Sequence, residues 1–186
     1  MKRTFDLLLA ICCLFLFAFP ICIVALLVKL TSKGPILYWS DRVGVNSEVF
    51  KMPKFRSMKT GTPALASHLL TNVSSTLTPI GSFLRKSSLD ELPQIWCVIT
   101  GDMSFVGPRP ALYNQYDLIE FRSKEGIDSL LPGVTGWAQV NGRDEISISE
   151  KVLLDKEYLN KKSFFFDFRI LWLTLTKVIK HDGVSH

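Results

Sequence analysis

The chain has 186 residues, room for one domain with a real core and too little for two comfortable ones. Its net charge of +5 and pI of about 9.1 call for anionic partners, but no helix-turn-helix, zinc or RNA-binding signature accompanies the charge, so a nucleic-acid binder is not the reading. Four cysteines, three in an apolar N-terminal run and none spaced Cys-x-x-Cys, argue against a disulfide framework or a zinc site.

Hydrophobic residues make up 47% of the chain, and the surplus lies at the N-terminus. Leu7–Val28 runs for 22 residues without a charge. As a straight helix it would reach roughly 33 Å, about one bilayer core. A cleaved signal peptide fits poorly, because Asp6 interrupts the basic start and no small-x-small cleavage site follows. Pro20 removes one helical hydrogen bond and crowds the preceding turn, so a kink or break is expected there. The two halves, roughly 20 and 12 Å long, are each too short to cross alone. Lys2 and Arg3 precede the run; Lys29 and Lys33 follow it. Positive charge marks the cytoplasmic side. A re-entrant helix-break-helix over residues 1–33 satisfies both basic ends, whereas a kinked single span strands one of them. Both courses stay open on these features.

TSKGP (31–35) reads as a turn leaving the membrane. Ile36–Tyr38 and Val49–Phe50, either side of RVGVNSE, predict a small β-hairpin, and KMPKFRSMK (51–59) is a basic stretch with Phe55 and methionines interleaved. A short amphipathic helix is expected over 64–70 and loop over 71–80. QIWCVIT (94–100) is apolar enough to be buried. GDMSFVGPRP (101–110) reads as a Gly/Pro loop, 111–125 as a helix, LPGVTGWAQVNGR (131–143) as loop or short strand, and SEKVLLDKEYLN (149–160) as a helix. Over 163–180, Phe164, Phe168, Leu171, Leu175 and Val178 recur at three and four, one apolar helical stripe widened by Phe165 and Trp172. That stripe faces either the core or a membrane interface.

The chemistry concentrates in SSLDELPQ (87–94). Ser88-Leu89-Asp90-Glu91 matches a capping box, and Pro93 is tolerated only near a helix start, so the acid pair is expected in a first turn. There the dipole favours negative charge, which is also the structural reason acids occur at such positions. Adjacent helical residues point about 100° apart, so they cannot act as a symmetric pair on one atom. They can divide labour, one attacking and one holding a hard cation, as phosphoryl chemistry requires. Arg109 between Pro108 and Pro110 has a stiff backbone from which a planar guanidinium can be aimed at phosphate.

In this order and spacing, SKGPILYWSDRVG, KMPKFRSMK, LTPIGSFLRKSSLDELPQIW, GDMSFVGPRP and LPGVTGWAQVNGR resemble the bacterial sugar transferases known as monotopic phosphoglycosyl transferases, over nearly the whole chain. The resemblance implies transfer of a sugar 1-phosphate from a UDP-sugar, leaning to an N-acetylated amino sugar, onto undecaprenyl phosphate. UMP is released and assembly of a surface glycan begins. It maps the nucleophile to Asp90, forming a covalent aspartyl-phosphosugar, the Mg²⁺ ligand to Glu91, and the membrane helix break to Pro20. Arg85 and Arg109 then contact phosphate or the active-site carboxylates, and Arg143 the nucleotide sugar, unless Arg143 is a turn residue paired with Asp144. Trp137 reads as packing rather than a base platform.

The implied fold is α+β, mostly helical: a re-entrant N-terminal membrane helix, a small hairpin and interfacial amphipathic helices around a compact cytoplasmic catalytic domain of residues 34–186. It would sit on the cytoplasmic face of the bacterial inner membrane, among its lipids and near downstream glycosyltransferases. The alternative is a non-catalytic membrane scaffold of a glycan-assembly complex. Phe19, where many relatives have serine, Cys97, where asparagine is common, and ISIS (146–149), without a tryptophan that many carry, depart from the family pattern.

Overall fold

The computed structural model describes residues 2–63, 73–142 and 146–180. The helix expected over 64–70 lies outside them. Helix α1 runs from Lys2 to Thr31, and Pro20 sits inside it without ending it. The break expected at Pro20 is therefore not seen: the proline costs one hydrogen bond and crowds the preceding turn, but the leucines and alanines on either side carry the helix through. The helix is long and apolar enough to cross a membrane, and the rest of the chain covers little of it.

One stripe of α1 faces the body of the protein: Asp6, Ala10, Val24 and Val28 are buried, with Cys13, Ile21 and Ala25 packed beside them. Between these contacts Leu14, Phe15, Leu16 and Phe19 are exposed. Both ends are tied down by polar side chains. Lys2 Nζ donates to Asp167 (2.5 Å) and to the Val106 carbonyl (3.1 Å), and Arg3 to the carbonyls of Ile99 (2.8 Å) and Val98. Buried Asp6 accepts from Ser104 Oγ (2.8 Å) and the Phe105 N–H (3.2 Å). At the far end Arg56 donates to the carbonyls of Ser32 (3.0 Å) and Lys33. The acid that interrupts the basic start is thus a satisfied buried charge, since an unpaired one would be costly.

The predicted hairpin forms and is longer than its apolar pieces indicated. Strand β1 (Leu37–Val43) pairs antiparallel with β2 (Val49–Phe55), from Leu37↔Phe55 to Val43↔Val49. The basic KMPKF segment is therefore strand, burying Met52, Pro53 and Phe55 while Lys51 stays exposed. The turn between the strands places Asn46 and Ser47 in the left-handed region.

After a short helix α2 (Val73–Thr76), helix α3 (Gly81–Lys86) leads into a 3₁₀ helix, Leu89–Gln94, and then α4 (Ile95–Thr100). As expected, α4 is largely buried: Ile95, Cys97 and Val98 join Met52, Met103, Val106, Ala10 and Ile170 in one core.

The stretch read as a Gly/Pro loop and the one read as loop or short strand meet as a parallel pair, β3 (Ser104–Val106) with β4 (Gly133–Thr135). Glycine makes that approach possible. A Cβ on Gly107 would lie 2.3 Å from the Leu131 carbonyl, and one on Gly133 2.1 Å from the Gly107 nitrogen. Gly107 N–H donates to Thr135 O (2.9 Å) and Gly133 N–H to Pro108 O (2.8 Å), which pins the start of the Pro-Arg-Pro loop.

Helices α5 (Tyr116–Lys124), α6 (Trp137–Asn141), α7 (Ile148–Lys161) and α8 (Phe164–Lys180) complete the domain. Most of the α8 stripe faces away from the core: Phe164, Phe165, Phe168, Trp172, Leu175 and Val178 are exposed, whereas Leu171 is half-buried against the core beside buried Asp167 and Ile170. Thr174 hydrogen-bonds Thr135 (2.7 Å), and Phe5 of α1 meets Phe164 edge to face at 5.3 Å. The apolar surfaces of α1 and α8 therefore adjoin.

Candidate active site

Asp90 and Glu91 lie in the first turn of the 3₁₀ helix, but the predicted capping box is absent. Ser88 takes φ 56° and ψ 16°, left-handed, whereas an N-cap side chain needs extended backbone to reach the third N–H. The Glu91 N–H bonds instead to the Ser88 carbonyl (3.1 Å). The Glu91 side chain is thereby free of the backbone and turns into the site. The capping box that does form belongs to Ser147 and Glu150, at the start of α7. A left-handed serine beside the acid pair is local strain of the kind that clusters at functional sites.

Glu91 Oε1 accepts from Arg109 Nη2 at 2.6 Å and from Lys54 Nζ at 2.7 Å; Oε2 lies 3.5 Å from Arg109 Nη1. Burial works to raise the Glu91 pKa, yet the charges and hydrogen bonds of Arg109 and Lys54 outweigh it and hold this carboxyl well below its usual range. Asp90, only 8% exposed, goes the other way. Burial and the Glu91 charge push it up to about 6 against the pull of Lys54, Arg109 and Arg85. Two neighbouring acids thus have distinct characters. Glu91 is a fixed anion, and Asp90 ionises near neutrality, where a desolvated carboxylate is a competent nucleophile.

Of the residues predicted from sequence, Asp90, Glu91 and Arg109 come together, and Arg85, in the last turn of α3, acts electrostatically on Asp90. Arg143 lies outside the described residues. Sequence reading missed Lys54. Its signal was weak, one cation among several in KMPKFRSMK, but it is the one flanked by buried Met52-Pro53 and Phe55, a charge the strand carries into the interior. Burial lowers the Lys54 pKa while Glu91 opposes that shift. Arg42 was missed as well; its Nη1 donates to the Pro110 carbonyl at 3.1 Å.

A family model described as "Bacterial sugar transferase" matches residues 1–181. This chain belongs to the bacterial sugar transferase family. It is 42% identical over 95% of its length to the UDP-glucose:undecaprenyl-phosphate glucose-1-phosphate transferase of Escherichia coli, of which it spans 40%. The uncharacterized sugar transferase EpsL of Bacillus subtilis is 38% identical, with 100% of this chain and 90% of that one covered. The undecaprenyl-phosphate galactose phosphotransferase of Salmonella typhimurium is 34% identical over 98% of this chain and 41% of its own length.

Among the described residues of this sugar transferase no three His, Cys, Asp or Glu side chains cluster as a metal cage. Magnesium does not require one, since it binds through one or two carboxylates plus substrate phosphates and water. Asp90 and Glu91 fit that pattern. Glu91 Oε2, with only a long contact to Arg109, keeps lone pairs available.

Proposed function

We propose that this chain moves a sugar 1-phosphate from a UDP-sugar to undecaprenyl phosphate, releasing UMP and starting assembly of a surface glycan. Asp90 attacks the sugar-bearing phosphorus. The bond from that phosphorus to the UMP oxygen breaks and UMP leaves with the electron pair. An aspartyl-phosphosugar holds the group until an oxygen of undecaprenyl phosphate attacks the same phosphorus and frees the carboxylate. Splitting one displacement into two lets a single site serve a soluble donor and a lipid acceptor in turn. Glu91, with Asp90, would hold Mg²⁺, whose charge offsets that of the diphosphate. Arg109, Lys54 and Arg85 supply fixed positive charge around the reacting phosphoryl group.

The observation that carries this reading is the division between the two acids, one clamped by Arg109 and Lys54 and the other buried with its pKa lifted to about 6. A non-catalytic scaffold has no use for that arrangement. The test is UMP release by the full chain with undecaprenyl phosphate across UDP-N-acetylglucosamine, UDP-N-acetylgalactosamine, UDP-glucose and UDP-galactose. The expected donor is an N-acetylated amino sugar. Release with a plain hexose alone would correct the donor and leave the mechanism standing; release with none of the four would sink both. Chelating Mg²⁺ is expected to stop release and adding it back to restore it. Because Asp90 must be ionised to attack, wild-type kcat/KM, which reports the free enzyme, is expected to fall below pH 6, to about a tenth of its plateau at pH 5.

The membrane course proposed for α1 is re-entrant. Both of its ends dock on one body, the outward side of the helix between them is exposed and apolar, and its basic ends then share the cytoplasmic face. The outward stripe of α8 would lie in the same interface, holding the site beside the lipid-borne acceptor phosphate. An N-terminal tag is expected to be digested together with the catalytic domain from the cytoplasmic side; protection of the tag alone would establish a single span.

A further inference from the structure

We propose that Arg122 and Asp155 are positioning residues for Arg109: they hold its main-chain carbonyl so that its guanidinium stays aimed at Glu91. The proposal rests on the reading of Arg109 as part of the transfer site. Arg122, in α5, and Asp155, in α7, form an ion pair whose side chains are 10% and 1% exposed. Arg122 Nε and Nη2 both donate to Asp155 Oδ2, at 3.0 and 2.6 Å. The third donor, Nη1, goes to the Arg109 carbonyl at 2.8 Å.

A buried ion pair contributes little to stability by itself, because desolvating two charges offsets their attraction. What it provides here is direction. With two corners of a rigid planar fork fixed on one carboxylate oxygen, the third N–H points one way only. The next carbonyl, that of Pro110, is held by Arg42 of β1 at 3.1 Å, and Arg42 Nε in turn donates to buried Ser40 Oγ at 3.0 Å. Two consecutive carbonyls are thus gripped by two arginines from different elements, and the peptide between Arg109 and Pro110 cannot rotate without breaking one of the bonds. The Arg109 side chain is 38% exposed, so its own packing does little to fix its course to Glu91. Its aim comes from the backbone. Arg122 touches neither acid, and Asp155 is one step further away, so their effect passes through Arg109.

The test is a double-mutant cycle on the full chain in detergent. Arg122→Met with Asp155→Leu replaces the pair by apolar side chains of similar size, which buried pairs tolerate. UMP release is expected to fall about 10- to 100-fold in kcat/KM, the scale of a small misplacement. In an Arg109→Gln background the same pair of changes is expected to cost nothing further. The guanidinium Nη–H resonance of Arg109, identified by its loss in Arg109→Gln, is expected to lose its protection from exchange. Full activity in the apolar variant, or losses that multiply in the cycle, would overturn the proposal while leaving the transferase reading intact. If the wild-type chain releases no UMP, the transferase reading fails, and an unchanged Arg109 resonance in the variant then overturns the positioning role as well. Should the apolar variant not fold, Asp155→Asn, which keeps the shape, carries the same cycle and the same outcomes.

Discussion

Asp90→Asn is expected to reduce UMP release to background, a loss on the order of 10⁴-fold or more, because the amide has neither the charge nor the lone-pair basicity to attack phosphorus. The fold is expected to survive, and the sign of the pKa shift says why. The Asp90 carboxyl titrates at about 6 in the folded protein, above its ordinary value of 3.8. The native state therefore binds more protons than the unfolded chain between those values, and stability falls as pH rises through that window. Removing the charge removes that penalty. Thermal denaturation at pH 5 and pH 7.5 is expected to show a smaller pH dependence in Asp90→Asn than in wild type, with the variant at least as stable at pH 7.5. Mass spectrometry of wild type quenched during turnover should find the phosphosugar on the peptide carrying Asp90. An adduct on any other residue would remove Asp90 from the mechanism.

Glu91→Gln is expected to be the next most damaging change, at about 10²- to 10³-fold in kcat, and to alter the pH profile in a particular direction. The variant keeps an acceptor for Lys54 and Arg109 but loses the anion that both neutralise. Catalysis falls because the proposed cation site loses a carboxylate. The Glu91 charge is also one of the causes that raise the Asp90 pKa. With it gone, and with Lys54 and Arg109 no longer neutralised, Asp90 is expected to ionise at lower pH. The acid limb of kcat/KM, which reports the free enzyme, should therefore move below 6 even as its plateau drops. A limb that stays in place or moves up would show that the two acids are not electrostatically coupled in the working enzyme. Arg109→Gln, which removes a charge that lowers the Asp90 pKa, should move the limb the other way, and a general loss of structure has no reason to push it both ways.

The site was legible in sequence where function left a local mark. Adjacent acids before a proline, an arginine between two prolines and glycines in both Gly/Pro stretches are each visible without a fold. The predicted capping box failed because Ser88 is left-handed, a backbone state that composition does not report and that the neighbouring packing imposes. Lys54 was hidden among the cations of KMPKFRSMK, and only the folded strand singles it out, with Met52, Pro53 and Phe55 buried around it.

By itself the sequence determined the class of chain: an apolar N-terminal helix flanked by cations, a mostly helical domain with a small hairpin, and Asp90, Glu91 and Arg109 as members of the candidate site. Those properties depend on periodicity and local chemistry, which short-range order preserves. Only the tertiary structure decided which cation meets which acid, because Lys54, Glu91, Arg109, Arg122 and Asp155 are separated by tens of residues and converge through β2, the 3₁₀ helix, the Gly107–Gly133 crossing, α5 and α7. It also decided that the α8 stripe faces outward, since helical periodicity defines a face but not what that face meets.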